Sequence, residues 1–221
     1  MDKDRALQIE INLRSNRIDV RTSALDELAN LDPDIAIPIL EQLYQEKDFL
    51  LRRFAVMGLG NHRTERSWEI LSDILVAEQD HNVLSEAANS LFEFGDRSIP
   101  ILKQLFTRSN HWLVRQTVIS IFVDTNNPDV LIDVSRLALK DEDQTTKETG
   151  ILALSRLLNT PLKQQAIDLF TQLARDNYWR TRWRTAIALT ASCDPQVKQL
   201  LAQLQKDEHY RVVAAALEEA K

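Results

Sequence analysis

The amino-acid sequence predicts an all-α solenoid, a single continuous domain of about seven antiparallel helix pairs over residues 1–221. Three observations support this prediction. A short pattern recurs along the chain at a nearly constant interval, which is typical of a repeat protein. The chain has only 4 Gly and 6 Pro, so helix-breaking residues are scarce. Apolar residues three positions apart occur in the successive units, as expected for one face of a helix.

The recurring pattern has a cation, a small residue three positions later and an apolar residue seven positions later, as in Arg21, Ala24 and Leu28. Its first position falls at residues 21, 52, 84, 115, 147, 182 and 211, and is a cation in every unit but the third. The intervals are therefore 31, 32, 31, 32, 35 and 29 residues. The interval of 35 predicts extra residues in the fifth unit, near 141–144 or 159–161.

Each unit is predicted to be a first helix and a second helix joined by a polar turn. The first helices carry apolar pairs such as Val134 and Leu137, and the opening helix is expected to bury Leu7, Ile11 and Leu13. The predicted pairs are 3–15/19–30, 35–46/50–60, 66–77/81–94, 97–107/112–124, 128–139/144–158, 163–175/179–191 and 195–205/209–220.

The turns and the second helices share two further features. An Asp or Asn precedes the cation position, as at Asp48, Asp176-Asn177 and Asp207. Such a side chain can cap the second helix or pair with a cation of its own or a neighbouring repeat. A small residue such as Gly150 allows two helices to approach closely.

Charge and composition exclude several classes of protein. The chain is 44% hydrophobic and 27% charged, which is sufficient for a packed core and excludes a disordered chain. The formal net charge is −6, with 13 Lys+Arg against 19 Asp+Glu in residues 1–110 and 14 of each in residues 111–221. Because an acidic scaffold binds polyanions poorly, we expect no nucleic acid partner.

No apolar stretch reaches the roughly 18 residues of a membrane span, and the first residues lack the apolar part of a signal peptide. The single cysteine, Cys193, fits a reducing compartment. We therefore expect a cytoplasmic protein.

The residue types that carry catalysis or bind metals are scattered. The four histidines are His62, His81, His111 and His209. None of them has the spacing of a metal site. For Cys193 an inert role and a reactive or bilin-linked role are both open. We expect no catalytic residue and no metal ligand.

Aromatic residues gather at the turns that lead into the second helices: Phe49, His111-Trp112, Tyr178-Trp179 and His209-Tyr210. Stacked repeats bring such places side by side, which predicts a ridge along one edge. Exposed aromatic and arginine residues are frequent anchors of protein interfaces. The residues expected to contact a partner are Trp112, Tyr178, Trp179, Arg180, Trp183 and Arg184.

Other interpretations of these residues are open. The rings can instead cover helix ends and stay internal, and Arg182, at the repeat's cation position, is expected to be structural. Interleaved Arg and Trp can stack on nucleobases. They can also hold a tetrapyrrole, with guanidinium groups on the propionates and indole rings against the pyrroles.

The repeating unit resembles the HEAT repeat over about the whole chain. The resemblance rests on the pattern Asp…Val-Arg-x-x-Ala-x-x-x-Leu and on a following Gly-Asp turn, as at Gly95-Asp96. The short period of 31–32 residues is similar to that of the phycobilin-lyase-like class of HEAT repeats. Relatives in that class include cyanobacterial bilin lyase subunits, phycobilisome-degradation proteins and adaptors of iron–sulphur assembly. The resemblance implies a right-handed α-α superhelix that binds its partner on a concave face.

Two functional hypotheses follow from the residues and the resemblance. The first is a non-catalytic adaptor without a cofactor, which grips a phycobiliprotein or another phycobilisome component. The second is a bilin lyase or lyase subunit, with bilin as the bound group. The sequence predicts neither the identity of the partner nor the oligomeric state.

Overall fold

The computed structural model describes residues 2–218, and within them the chain forms fourteen α-helices. Two short 3-10 helices, Gly95–Ser98 and Ser155–Asn159, precede α7 and follow α10. The helices are α1 Asp2–Leu13, α2 Ile18–Leu28, α3 Pro33–Tyr44, α4 Phe49–Asn61, α5 Glu65–Ala77, α6 His81–Phe92, α7 Ile99–Arg108, α8 Trp112–Val123, α9 Pro128–Ala138, α10 Gln144–Leu154, α11 Lys163–Leu173, α12 Trp179–Leu189, α13 Pro195–Leu204 and α14 Tyr210–Leu217.

These helices are the seven predicted pairs. The fifth second helix differs most, because its α-helical part ends at Leu154 and the chain continues as the 3-10 helix Ser155–Asn159. This segment holds the extra residues that the interval of 35 predicts, next to the second of the two expected places. The last predicted helix extends to 220, and residues 219 and 220 lie outside the described part of the chain. No helix within residues 2–218 is long and apolar enough to cross a bilayer.

The chain divides into two compact units, Met1–Val118 and Ile119–Lys221, with the boundary inside α8. In the first unit α1 packs on α2, α3 on α4, and α5 on α6. The second helices α2, α4 and α6 also pack side by side, and α1 lies against α3. Within this unit the two helices of each pair therefore contribute to two different layers.

The second unit repeats this arrangement. The hairpins α9–α10, α11–α12 and α13–α14 are packed pairs, and the second helices α10, α12 and α14 are adjacent in one layer. Buried side chains such as Phe170, Leu189 and Val197 fill the space between the layers. The layer of second helices carries the side chains of the candidate site.

In both units the recurring cation can join one repeat to the next, as Arg52 and Arg182 show. Arg52 donates to the carbonyl oxygens of Glu46 and Lys47 in its own turn, and its Nε lies 2.9 Å from Oε2 of Glu78 in the next repeat. Arg182 makes the same set of bonds in the second unit, with Asp207 as its carboxylate. The expected pairing of a turn aspartate with the cation of a neighbouring repeat is present at Arg182–Asp207 and, at 3.9 Å, at Arg21–Asp48, whereas Arg52 pairs with Glu78 and not with a turn aspartate.

The capping prediction holds at some turns only. Asp48, Asp80 and Asp143 each accept hydrogen bonds from backbone N–H groups at the start of their helix. Asp176 and Asp207 are exceptions, because the N-caps of α12 and α14 are Tyr178 and His209, each two residues after the aspartate. No side chain caps α12, so Asn177 does not have the expected role. Asp176 accepts a hydrogen bond from the N–H of Tyr178, which is the residue before this helix.

Two predictions about helix faces are wrong in part, although the burial expected for Leu13 and Val134 is present. Leu7 and Ile11 are 59% and 56% exposed, whereas Ile9 and Leu13 are buried on the opposite side of α1. Likewise Leu137 is 44% exposed, and α9 buries Leu131 and Val134 instead. Both helices have two apolar stripes, and periodicity does not tell which stripe will meet the neighbouring helix.

Candidate functional site

Five of the six predicted contact residues lie together at the N-terminal end of α12 in the second unit. They are joined there by residues at the start of α14. We call this group the ring–arginine surface, defined by Tyr178, Trp179, Arg180, Trp183, Arg184, His209, Tyr210 and Arg211. It belongs to the layer of second helices, because α12 and α14 are adjacent there.

The rings of this surface form a continuous stack across two repeats. Trp179 and His209 lie face to face, with ring centroids 4.1 Å apart and an angle of 2° between the planes. Tyr210 continues the stack at 5.2 Å from His209. Tyr178 and Trp183 contact Trp179 at tilted angles, at 6.2 and 6.5 Å. The predicted side-by-side arrangement of aromatic positions therefore occurs within this unit.

The stack is partly open to solvent. Tyr178 is 47% exposed and Tyr210 is 71% exposed, while Trp179 and Trp183 are half-buried. The rings thus contribute to packing between repeats and still present apolar area at the surface. This combination is typical of residues that anchor a partner.

Glu148 of α10 holds the two neighbouring arginines in place. The Nε of Arg180 donates to its Oε1 at 2.6 Å. The Nε and Nη2 of Arg184 donate to its Oε2 at 3.1 and 2.5 Å. Gln144 donates to Oε1 at 3.1 Å. Because Glu148 is buried, these bonds fix the direction of both guanidinium groups.

The ionisation of Glu148 follows from these contacts. Burial by itself raises the pKa of this carboxyl group, because a charge loses its hydration there. Hydrogen bonds from Arg184, Gln144 and Arg180 outweigh burial, so the pKa of Glu148 lies below its ordinary value. Glu148 is therefore an anion at neutral pH. One carboxylate is shared by two guanidinium groups, which leaves an excess of positive charge.

Arg184 and Arg211 also lie over aromatic rings. The guanidinium of Arg184 is 4.6 Å from the centre of the Trp183 ring. Arg211 lies 5.5 Å from the Trp179 ring and 5.8 Å from the Tyr210 ring, and its Nε donates to the Tyr210 hydroxyl group at 3.1 Å. Within residues 2–218 no carboxylate lies within ion-pair distance of Arg211. Cations over ring faces are attracted by the ring quadrupole.

Arg182 has a different place from its neighbours. Its side chain is 9% exposed and forms a bidentate ion pair with the carboxylate of Asp207. Its Nη2 also donates a hydrogen bond to Glu208 at 3.2 Å. Its remaining bonds go to the carbonyl oxygens of Asp176 and Asn177 in its own turn, so Arg182 joins this turn to the next repeat. The structural role predicted for Arg182 is in agreement with these contacts.

Trp112, the sixth predicted residue, belongs to the first unit. It is the first residue of α8 and is 42% exposed. Its ring contacts His111, which in turn stacks on His81 with ring centroids 3.7 Å apart. The first unit therefore has a ring stack of its own at the start of α6 and α8.

Sequence reasoning missed Glu148. Its position follows Lys147, which is the cation of the fifth repeat, and no acidic residue at this place is part of the recurring pattern. A usable signal was present: Arg180 and Arg184 are four residues apart and so lie on one helical face. Glu148 lies 32 and 36 residues before them, about one repeat away.

Cys193 is exposed on the turn after α12. The ring–arginine surface is at the opposite end of this helix, which at 1.5 Å per residue is about 15 Å away. The thiol is therefore separate from the aromatic residues. It lines a different cavity, described below.

The fold and this surface define an all-α repeat protein with an aromatic and cationic surface at the start of α12 and α14. Models of HEAT repeats match the chain at residues 8–92, 70–155 and 132–220. The chain belongs to the HEAT repeat family. A search of curated protein sequences finds no match.

Several solved structures have a similar fold. The Escherichia coli protein YibA superposes with a TM-score of 0.64 at 15% identity, covering 94% of this chain and 79% of YibA. Kap121p gives a TM-score of 0.50 at 15% identity, over 97% of this chain and 28% of Kap121p. The CpcE–CpcF complex of phycocyanin lyase from Nostoc sp. gives 0.49 at 16% identity, over 95% of this chain and 91% of that chain. At such identities the likeness concerns the fold alone.

Proposed function

We propose that this chain is a non-catalytic protein-binding scaffold that holds its partner on the ring–arginine surface. The observation that carries the proposal is the packing of exposed aromatic rings against guanidinium groups at the start of α12 and α14. Aromatic and arginine side chains supply much of the energy of protein interfaces, especially where they are held in place before binding. The proposed function requires no cofactor.

The held position of the arginines supports this function. Arg180 and Arg184 are long side chains, and ordering such a side chain at an interface costs roughly 0.5–1.5 kcal/mol. Glu148 already restricts both of them through hydrogen bonds. Arg180 nevertheless keeps 45% of its side chain exposed, so it can still contact a partner.

The partner we propose is a phycobiliprotein or another component of the phycobilisome. This part of the proposal rests on the resemblance of the 31–32-residue unit to phycobilin-lyase-like repeats. HEAT repeats as a class form extended surfaces for protein partners. The surface in the second unit is the place where we expect that partner to bind.

Binding of purified, pigment-bearing phycobiliprotein tests this proposal. We expect the variant Trp179→Ala/Trp183→Ala to bind at least about 30-fold more weakly, because loss of an interface anchor costs about 2 kcal/mol or more. Val76→Ala removes exposed apolar area from the first unit and is the matched control. Far-ultraviolet circular dichroism checks that each variant is folded. Equal affinity of all three proteins would contradict the proposed surface.

A bilin-binding role is the alternative, and the contacts of this surface suit it less well. A bilin presents propionates, which need guanidinium groups as partners. Arg180 and Arg184 already donate to Glu148, and Cys193 lies at the far end of α12. Titration with free bilin, followed by visible absorbance, distinguishes the two functions. A change that the Trp179→Ala/Trp183→Ala variant abolishes would favour the bilin role over the scaffold.

A further inference from the structure

The extra residues of the fifth repeat form a segment that borders two cavities of the second unit. After α10, the 3-10 helix Ser155–Asn159 is anchored by the buried side chains of Leu157 and Leu158. Two cavities flank this segment in the second unit, with volumes of about 460 and 290 Å³. Arg156 lines both of them, so a single exposed guanidinium group borders two adjacent cavities.

The larger cavity is formed by the 3-10 helix and by the C-terminal end of α12. Its lining combines polar and apolar groups: Ser155, Arg156, Leu158, Asn159, Ala188, Ala191, Ser192 and Cys193. The two alanines leave room near the helix, and Asn159 adds an amide beside the guanidinium. A volume of about 460 Å³ is within the range of small-molecule sites.

The charge of both cavities is positive, because Arg156 is the only ionised side chain among their lining residues. Asp194, next to Cys193 in the chain, pairs with Lys163 at 2.8 Å. Within residues 2–218 no carboxylate lies within ion-pair distance of Arg156. An arginine with five donors and no anionic partner is suited to a carboxylate or a phosphate.

The C-terminal end of α12 offsets only part of this charge, because a helix end carries roughly half an elementary charge. Carbonyl groups at a helix C-terminus carry partial negative charge and oppose an anion. Here several of them already accept hydrogen bonds: the Leu152 oxygen from Ser155 Oγ, and the Ile187 oxygen from Thr190 Oγ1. The Leu189 oxygen accepts from the Ser192 N–H.

From this geometry we infer that the larger cavity binds a small amphipathic anion, a molecule with one carboxylate or phosphate group and a compact apolar part. The anionic group pairs with Arg156 and Asn159. The apolar part lies against Leu158, Ala188 and Ala191. This site is distinct from the ring–arginine surface, which is at the other end of α12.

The single cysteine of the chain gives a direct test, because Cys193 lines the cavity and reports its occupancy. The rate of alkylation by iodoacetamide, a neutral reagent, is measured with benzoate or phenyl phosphate at increasing concentration. These probes share a ring and differ in the anionic group, so they separate a carboxylate site from a phosphate site. Benzamide is the neutral counterpart, and sodium chloride matches the ionic strength.

We expect at least one anionic probe to slow alkylation with a saturable dependence, and benzamide to have little effect. Arg156→Gln should weaken the protecting probe about tenfold or more, as for loss of a charge-assisted hydrogen bond. Arg175→Gln removes an exposed cation from the turn before α12 and should leave protection unchanged. Backbone amide NMR shifts of Asn159 and Ser192 detect a ligand that binds without covering the thiol. If neither probe slows alkylation or shifts these resonances, or if Arg156→Gln binds as well as the native chain, the inference is wrong.

Discussion

At the scale of single residues, the recurring cation can bond both to its own turn and to the next repeat, as Arg182 shows. Arg182 donates five hydrogen bonds: two to backbone carbonyls in its own turn and three to carboxylates of the next repeat. Arg52 repeats this arrangement with Glu78. The cation therefore acts as a tie between repeats, and its distance from its partner in sequence is set by the repeat length.

Replacing Arg182 by alanine should destabilise the fold by about 3 kcal/mol, because removal of one member of a buried ion pair leaves the other charge without compensation. Asp207 is the partner left behind, and its side chain is 8% exposed. Urea unfolding followed by circular dichroism measures the change. The double variant Arg182→Ala/Asp207→Ala should lose less than the sum of the two single variants. Additive losses would show that the pair is not coupled.

At the scale of helices, close approach depends on small residues at the crossing points. A Cβ atom added at Gly150 on α10 would lie 2.6 Å from the Cβ of Ala138 on α9. Neither partner has a flexible side chain that can move aside, so the helices would have to separate. The requirement for a small residue at this position of the repeat could be predicted from the sequence. The identity of the opposing residue could not, because it depends on how the two helices cross.

The variant Gly150→Ala tests this requirement through two opposing effects. Alanine favours a helix over glycine by about 1 kcal/mol. Overpacking a tight contact costs roughly 1–3 kcal/mol, and a Cβ–Cβ distance of 2.6 Å is too short to relax without moving a helix. We therefore expect a net loss of stability in urea unfolding. The double variant Gly150→Ala/Ala138→Gly should recover part of it, and failure to recover would place the cost elsewhere.

At the scale of the whole chain, local sequence patterns predicted the fold better than they predicted the site. The seven helix pairs follow from a period that is visible in the sequence and from the scarcity of glycine and proline. The sequence did not predict which apolar stripe of α1 is buried, because the pairs Leu7–Ile11 and Ile9–Leu13 have the same spacing. The hydrogen bonds that Arg180 and Arg184 donate to Glu148 join different repeats, and such partners depend on how the helices pack.

The stability of the chain should decrease in two stages as the pH falls from neutrality. Burial lowers the pKa of His62, although a hydrogen bond with the Leu28 backbone partly opposes this, and its Nε2 has no partner among the described residues. The unfolded chain therefore takes up a proton on His62 more readily than the folded chain does, so stability is lost as the pH falls below the ordinary histidine pKa of about 6.5.

The second stage involves Glu78, Glu148 and Asp207, whose pKa values are lowered in the folded chain. Their contribution is complete above the ordinary carboxyl values of about 4 and is lost progressively below them.

The variant His62→Asn separates the two stages, because an amide can keep a hydrogen bond to the Leu28 backbone and does not titrate. The unfolding free energy of the native chain should decline between about pH 6.5 and 5. In the variant this slope should be smaller, while the loss at lower pH should stay the same. Urea unfolding at a series of pH values gives both slopes. An unchanged slope between about pH 6.5 and 5 would show that other groups, and not the burial of His62, control the first stage.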